Sequence, residues 1–193
     1  MGKGATTRAT ILQAAVETVC AAGFQGLNLQ PLANRVGLTK SGLYAHFGSK
    51  EALQRATLDY ATALFEATVL VPSKQDAPGL PRIRGLFSRW LDWPLNAGLA
   101  GRCPFIVGAI ELPACDPALS VHLVRLFSDF TQMIETLAAS AVRHGHLSAS
   151  TDLALFAHQL IALRHAHLWA TGLMQAPKAD ARTWAAFDRL ASL

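Results

Sequence analysis

Residues 28–53 read NLQPLANRVGLTKSGLYAHFGSKEAL, and their punctuation decides the fold. Asn28 can N-cap a short helix, Pro31 falls in its first turn where a missing N–H costs nothing, and Gly37 ends it. Thr39 can cap a second short helix, Lys40 to Phe47. Gly48-Ser49 breaks that one, and Ser49 can cap a longer helix reaching about Leu70. Leu32, Ala33 and Val36 are spaced to pack the first short helix, and Leu38, Leu43 and Phe47 to anchor the second. Thr39, Lys40, Ser41, Tyr44 and His46 are left on or near the outer side. Two short helices joined by a tight glycine turn, the second with a basic, hydroxyl-rich start, are the physical description of a helix-turn-helix.

The outward residues suit duplex DNA. Lys40 can neutralise a phosphate or donate to guanine O6 and N7, while the hydroxyls of Thr39, Ser41 and Tyr44 can donate to phosphate oxygens. Gly42 has no side chain and lets the helix come close to a groove. Lys50 sits in the first turn of the next helix, where backbone N–H groups also favour an anion.

Outward from this segment the pattern stays helical. Leu12, Ala15, Val16 and Val19 share one face of a first helix that Gly23 can stop. Pro72 to Pro81, with Pro78-Gly79 inside, reads as a linker. A helix over about Ile83–Leu95 should halt near Pro94 and Gly98, and a shorter apolar one covers Arg102–Leu112. Asp116-Pro117 starts a long helix that keeps its apolar spacing to Gly145. Ser150 or Thr151 caps another to about Gly172, and a last one runs from about Ala179. No alternating strand segment or hairpin signal appears, so the chain reads as all-α. The expected division is a helix-turn-helix domain over 1–50 and a helical effector-binding and dimerisation domain over 51–193.

Composition excludes several classes. Of 193 residues, 51% are hydrophobic and 16% charged, too apolar for a disordered chain. Three cysteines make no disulfide framework and fit a reducing, cytoplasmic setting. No run approaches the ~18 apolar residues of a membrane span, so no membrane partner is expected. The formal net charge is +4. Residues 1–60 hold most of it, with Lys3, Arg8, Arg35, Lys40, Lys50 and Arg55 against Glu17, Glu51 and Asp59. A basic N-terminal segment on a nearly neutral body points to a polyanion.

The run Val36–Leu53 resembles the DNA-binding signature of the TetR/AcrR transcriptional regulators, and Ile11–Phe24, with Ala22-Gly23-Phe24, is similar to that family's first helix. The resemblance covers about residues 5–60. It implies a three-helix DNA-binding head and a larger helical domain that dimerises and often holds a ligand. Position by position, it implies that Asn28 and Gln30 lie near the DNA backbone. Thr39, Lys40, Ser41, Gly42, Tyr44 and His46 would form the recognition helix, and Lys50 would contact a phosphate. Pro31 and Ala45 depart from the family's commoner residues, and Ala45 leaves the operator contacts open. The expected function is a homodimeric, ligand-responsive repressor on a pseudo-palindromic operator. Leu153, Phe156, Leu160, Leu163 and Leu168 can supply a dimer stripe on the penultimate helix, or pack inside their own subunit.

For the effector, Trp90 and Trp93 with Phe87 can line an apolar space, and Glu111, His158, Arg164 and His165 are polar groups within apolar stretches. Each can equally be a satisfied core or surface group. No enzyme is expected: GxSxG, HExxH, CxxC and GxxxxGK[ST] are all missing, so there is no catalytic residue and no cofactor motif. His144-Gly-His146 and His165-Ala-His167 have a spacing that splits the rings between helix faces, against a metal site. The alternatives are a ligand-insensitive DNA-binding protein and a thiol-based redox regulator using Cys103 and Cys115.

Overall fold

The computed structural model describes residues 3–99 and 102–192. α1 (Lys3–Gly26) is followed by α2 (Leu29–Arg35), α3 (Lys40–Phe47) and α4 (Lys50–Phe65). α4 runs on through a π-helical turn, Glu66–Leu70, into the short α5 (Val71–Ser73). Then come α6 (Leu80–Asn96), α7 (Pro104–Cys115), α8 (Pro117–Arg143), α9 (Leu153–Leu168) with its own π-helical turn Trp169–Leu173, and α10 (Ala179–Ala191). The described residues are mostly helical and contain no strand.

Several caps fall where the residue types put them. Thr39 Oγ1 accepts the Gly42 N–H at 3.0 Å, Ser49 Oγ the Ala52 N–H at 3.0 Å, and Asp116 Oδ1 the Leu119 N–H at 2.9 Å. Two differ. Asp152, and not Ser150 or Thr151, caps α9 by accepting the Leu155 N–H at 2.9 Å. Asn28 holds the N-cap position of α2 without a side-chain cap bond. Its amide is turned to the Gly26 carbonyl and to Lys50.

The chain forms two compact units, Met1–Phe65 with Pro94–Val124 and Glu66–Trp93 with Arg125–Leu193. In the first, α1 packs against α2, α4 and α7, and α2 against α3. Its centre holds Ile11, Val19, Phe24, Leu27, Leu43 and Leu53, all fully buried. α1 is broken at Gly23, where φ is 79° and ψ 173°. That conformation is open essentially to glycine alone, and a Cβ there would lie 2.0 Å from Glu111 Oε1. Glu111 Oε2 in turn accepts the Gln25 N–H at 3.3 Å, so α7 holds the joint between α1 and α2.

In the second unit α9 packs on α10. α6 buries Ile83, Leu86, Phe87, Trp90 and Leu91, the i, i+3, i+4 stripe of an amphipathic helix. The expected linker is fastened to α6: Arg89 pairs with Asp76 at 2.6 Å, and Arg82 donates to the carbonyls of Lys74 and Asp76. α6 ends at Asn96, close to the expected stop near Pro94 and Gly98, with Pro94 inside its last turn. A proline removes the N–H that would bond the carbonyl four residues back, here that of Trp90. Arg164 replaces it, with Nε donating to Trp90 O at 3.0 Å. This is a structural reason for an arginine only 2% exposed.

Candidate nucleic-acid interface

The outward side of α3 is built from the inside. Leu43 is fully buried and fixes the rotation of the helix. Thr39, Lys40, Ser41 and Tyr44 are thereby exposed. Thr39 Oγ1 receives the Gly42 N–H and lies 3.1 Å from Ser41 Oγ, so the two hydroxyls form one cluster at the start of the helix. Gly42 sits beneath it, half-buried, where a Cβ would lie 3.1 Å from Thr39 Oγ1. At the far end Gly48, with φ of 76°, closes the helix, its N–H donating to Tyr44 O at 2.7 Å.

His46 is half-buried, and its carbonyl accepts from Arg8 Nη1 at 2.9 Å. The Arg8 guanidinium also lies 4.4 Å from the centre of the Phe47 ring. Sequence reasoning counted Arg8 only as a charge; here it pins the C-terminal end of α3 to α1. The signal was an aromatic at the end of α3, which a cation on a neighbouring helix can cover.

Lys50 is half-buried at the start of α4, and its Nζ donates to Gln25 O and Asn28 Oδ1, both at 3.3 Å. It thus ties α4 to the α1–α2 joint, beside Asn28. Gln30 is exposed on α2, with its amide donating to Asn34 Oδ1 at 2.8 Å. The structure therefore holds the nine candidate residues in one unit, with Asn28, Gln30, Thr39, Lys40, Ser41 and Tyr44 exposed. Arg35 is committed elsewhere, in an ion pair with Glu17.

The effector candidates divide between units. Trp90 is buried and meets Phe130 edge-on at 4.7 Å, with the Arg164 guanidinium 5.9 Å from its ring centre. Trp93 is fully buried, His158 is exposed on α9, and His165 is half-buried on the same helix. Burial, and then the charge of Arg164, pushes the His165 imidazole below its ordinary value. Glu111 belongs to the other unit, where it braces Gly23. Cys103 and Cys115 stand at the two ends of α7. Twelve residues of helix separate them by about 18 Å, far beyond the ~7 Å limit between Cα atoms for a disulfide. The pair within one chain therefore cannot form that switch while α7 is intact.

Two family models match the chain: "Bacterial regulatory proteins, tetR family" over residues 11–57 and "Tetracyclin repressor-like, C-terminal domain" over residues 79–187. The chain belongs to the TetR family. It is 28% identical over 143 residues to YezE, an uncharacterized HTH-type transcriptional regulator of Bacillus subtilis (strain 168), across 73% of this chain and 69% of that one. A TetR transcriptional regulator from Chloroflexus aurantiacus J-10-FL superposes with a TM-score of 0.85 at 24% identity, covering 99% of this chain and 95% of the other. AibR, solved in complex with isovaleryl coenzyme A and operator DNA, superposes with a TM-score of 0.67 at 22% identity over 85% of each chain. This TetR-family protein is a DNA-binding transcriptional regulator. Among its described residues no helix is long and apolar enough to cross a membrane.

Proposed function

We propose that this regulator is a ligand-responsive, cytoplasmic repressor that binds a pseudo-palindromic operator as a homodimer, with residues 1–50 as the DNA-binding domain and 51–193 as the effector and dimer domain. The observation that carries the DNA face is the exposed Thr39-Lys40-Ser41 cluster and Tyr44 on α3, with the hydrogen-bonded Lys50 and Asn28 in the same unit. Those residues, with Gln30, Gly42 and His46, form the proposed contact set. Regulation without catalysis fits the family. Effector binding is supported by the AibR complex, which holds isovaleryl coenzyme A together with operator DNA. Trp90, Trp93, His158 and His165 are the proposed effector residues in the second unit. Glu111 is proposed to act through the α1–α2 joint that it braces.

The dimer reading shifts to different side chains. Phe156 and Leu160 are buried within their own protomer. Leu155, Trp169, Leu173 and Met174 are the large apolar residues of the α9 region that stay exposed, at 51%, 65%, 79% and 69%. A surface of that kind favours a protein partner, and α9 with α10 is the proposed seam.

Salt titrations of DNA binding test the DNA face. In a dimer each lysine-to-alanine change removes two phosphate neutralisations, so Lys40→Ala and Lys50→Ala should each flatten the log–log salt slope by about 2. If neither substitution moves affinity or slope, the assignment of this face fails.

A further inference from the structure

A cleft of about 720 Å³ opens beside the first turn of α4. That volume is within the ~300–1,000 Å³ range of small-molecule sites. Residues 50–52, 54 and 55 line one part of it, the α7–α8 corner from Cys115 to Leu119 lines another, and Gln25 completes it. All of these residues belong to the first unit.

Its charges are unequally committed. Asp116 Oδ1 is occupied as the cap of α8, accepting the Leu119 N–H at 2.9 Å. The Glu51 carboxyl is held below the usual carboxylate range, first by its own backbone N–H, next by the Ser49 hydroxyl, with Lys50 contributing least. Both acids are thus turned onto helix-terminal donors. The cations are not matched in this way. Among the described residues Lys50 Nζ hydrogen-bonds to neutral oxygens, Gln25 O and Asn28 Oδ1. Arg55 is exposed and makes no ion pair among the described residues. Ala52, Pro117 and Ala118 also line the cleft and offer it apolar surface.

We propose that this cleft binds a small amphiphilic anion, its carboxylate or phosphate between Lys50 and Arg55 and its apolar part along Ala52, Pro117 and Ala118. A free small molecule is the ligand; a phosphate of the DNA backbone has the same charge chemistry and is the rival source. Occupation takes up Lys50, so the ligand competes with DNA. That consequence rests on the proposed DNA role of Lys50, whereas binding in the cleft does not.

Cys115 supplies the probe, because it lines the cleft and is exposed while Cys20 and Cys103 are buried. The rate at which Cys115 of the full chain reacts with an uncharged aromatic disulfide is followed without DNA, with octanoate or with octanamide. Octanoate should slow the reaction at least threefold and saturably, and octanamide should not. Arg55→Ala should remove the protection and Arg55→Lys should keep it, each judged against that variant's own unprotected rate. Equal protection by acid and amide, or none by the acid, overturns the proposal. Arg55-dependent protection by duplex DNA alone also overturns it and assigns the cleft to the phosphate backbone. If octanoate protects Cys115 yet leaves DNA affinity unchanged, the cleft stands and the DNA role of Lys50 falls.

Discussion

Replacing Arg164 with methionine keeps much of the side-chain volume but removes the donor that serves the Trp90 carbonyl. Nε lies 3.0 Å from Trp90 O, and Arg164 is 2% exposed, so water has little access to take over that bond. A buried hydrogen bond to a charged group contributes about 1.5–3 kcal/mol. Removing a buried charge offsets part of this by relieving its desolvation. A net loss of about 1.5–2.5 kcal/mol lowers the thermal midpoint by roughly 3–10 °C for a chain of this size. The cause can be isolated, because the carbonyl lacks its helical donor only through Pro94. Pro94→Ala returns an N–H four residues after Trp90. In the Arg164→Met background it should recover about 0.5–1.5 kcal/mol more than it contributes in the parent. The double-mutant cycle is read by thermal and urea unfolding followed by circular dichroism. A coupling energy of zero would refute the claim that Arg164 replaces the missing helical bond.

Gly23→Ala should cost about 1–3 kcal/mol, since the backbone at φ 79°, ψ 173° is almost closed to a Cβ. Glu111→Ala should not rescue it, because the Glu111 carboxylate is the end of a flexible side chain and can swing aside; a full rescue would mean that the clash and not the backbone sets the cost. Burial, then Arg164, pushes His165 and His167 below their ordinary value of 6.5 in the folded chain. The unfolded chain thus takes up protons first as pH drops, and urea midpoints should fall as pH goes from about 7 to below 6.5. Replacing both histidines with asparagine should flatten that decline. Burial, with Cys103 next, pushes the Cys20 thiol up to about 12. An uncharged thiol reagent should therefore titrate one cysteine per native chain, Cys115, and three after denaturation; two or more fast native thiols would contradict the burial of Cys20 and Cys103.

Local signals made the head legible. Thr39, Ser49 and Asp116 are caps whose short oxygens have one geometric use, and the structure shows each in it. The outward face of α3 followed from Leu43, whose burial fixes the direction of its neighbours. Residues whose roles depend on distant partners were not legible. Pro94 reads locally as a stop, and only Arg164, 70 residues on, makes its place inside α6 tolerable. Glu111 reads as a polar group in an apolar helix, and its contact with a glycine 88 positions earlier has no side chain to announce it. Phe156 and Leu160 show the same limit: an apolar stripe does not say which of two surfaces covers it, and the chain's own core took these two.

The charge of the head narrows in a measurable way once its partners are known. Six cations in residues 1–60, if all met phosphates in a dimer, would give a log–log salt slope of about −11. Arg35 is paired with Glu17, and it also donates to Ala14 O and Thr18 Oγ1, which makes it a brace between α1 and α2. Arg8 is spread over the Phe47 ring and bonded to His46 O. On the acidic side Asp59 is engaged by His122 at 2.7 Å, within the same unit. If Lys40 and Lys50 alone neutralise phosphates, the slope is about −4 for a dimer. A measured slope near the smaller value means that hydroxyls and amides hold the rest of the contact without displacing counterions, as the exposed Thr39, Ser41 and Tyr44 allow. A slope near the larger value would require Arg35 to leave Glu17 on binding, and Glu17→Gln would then strengthen DNA binding instead of leaving it unchanged.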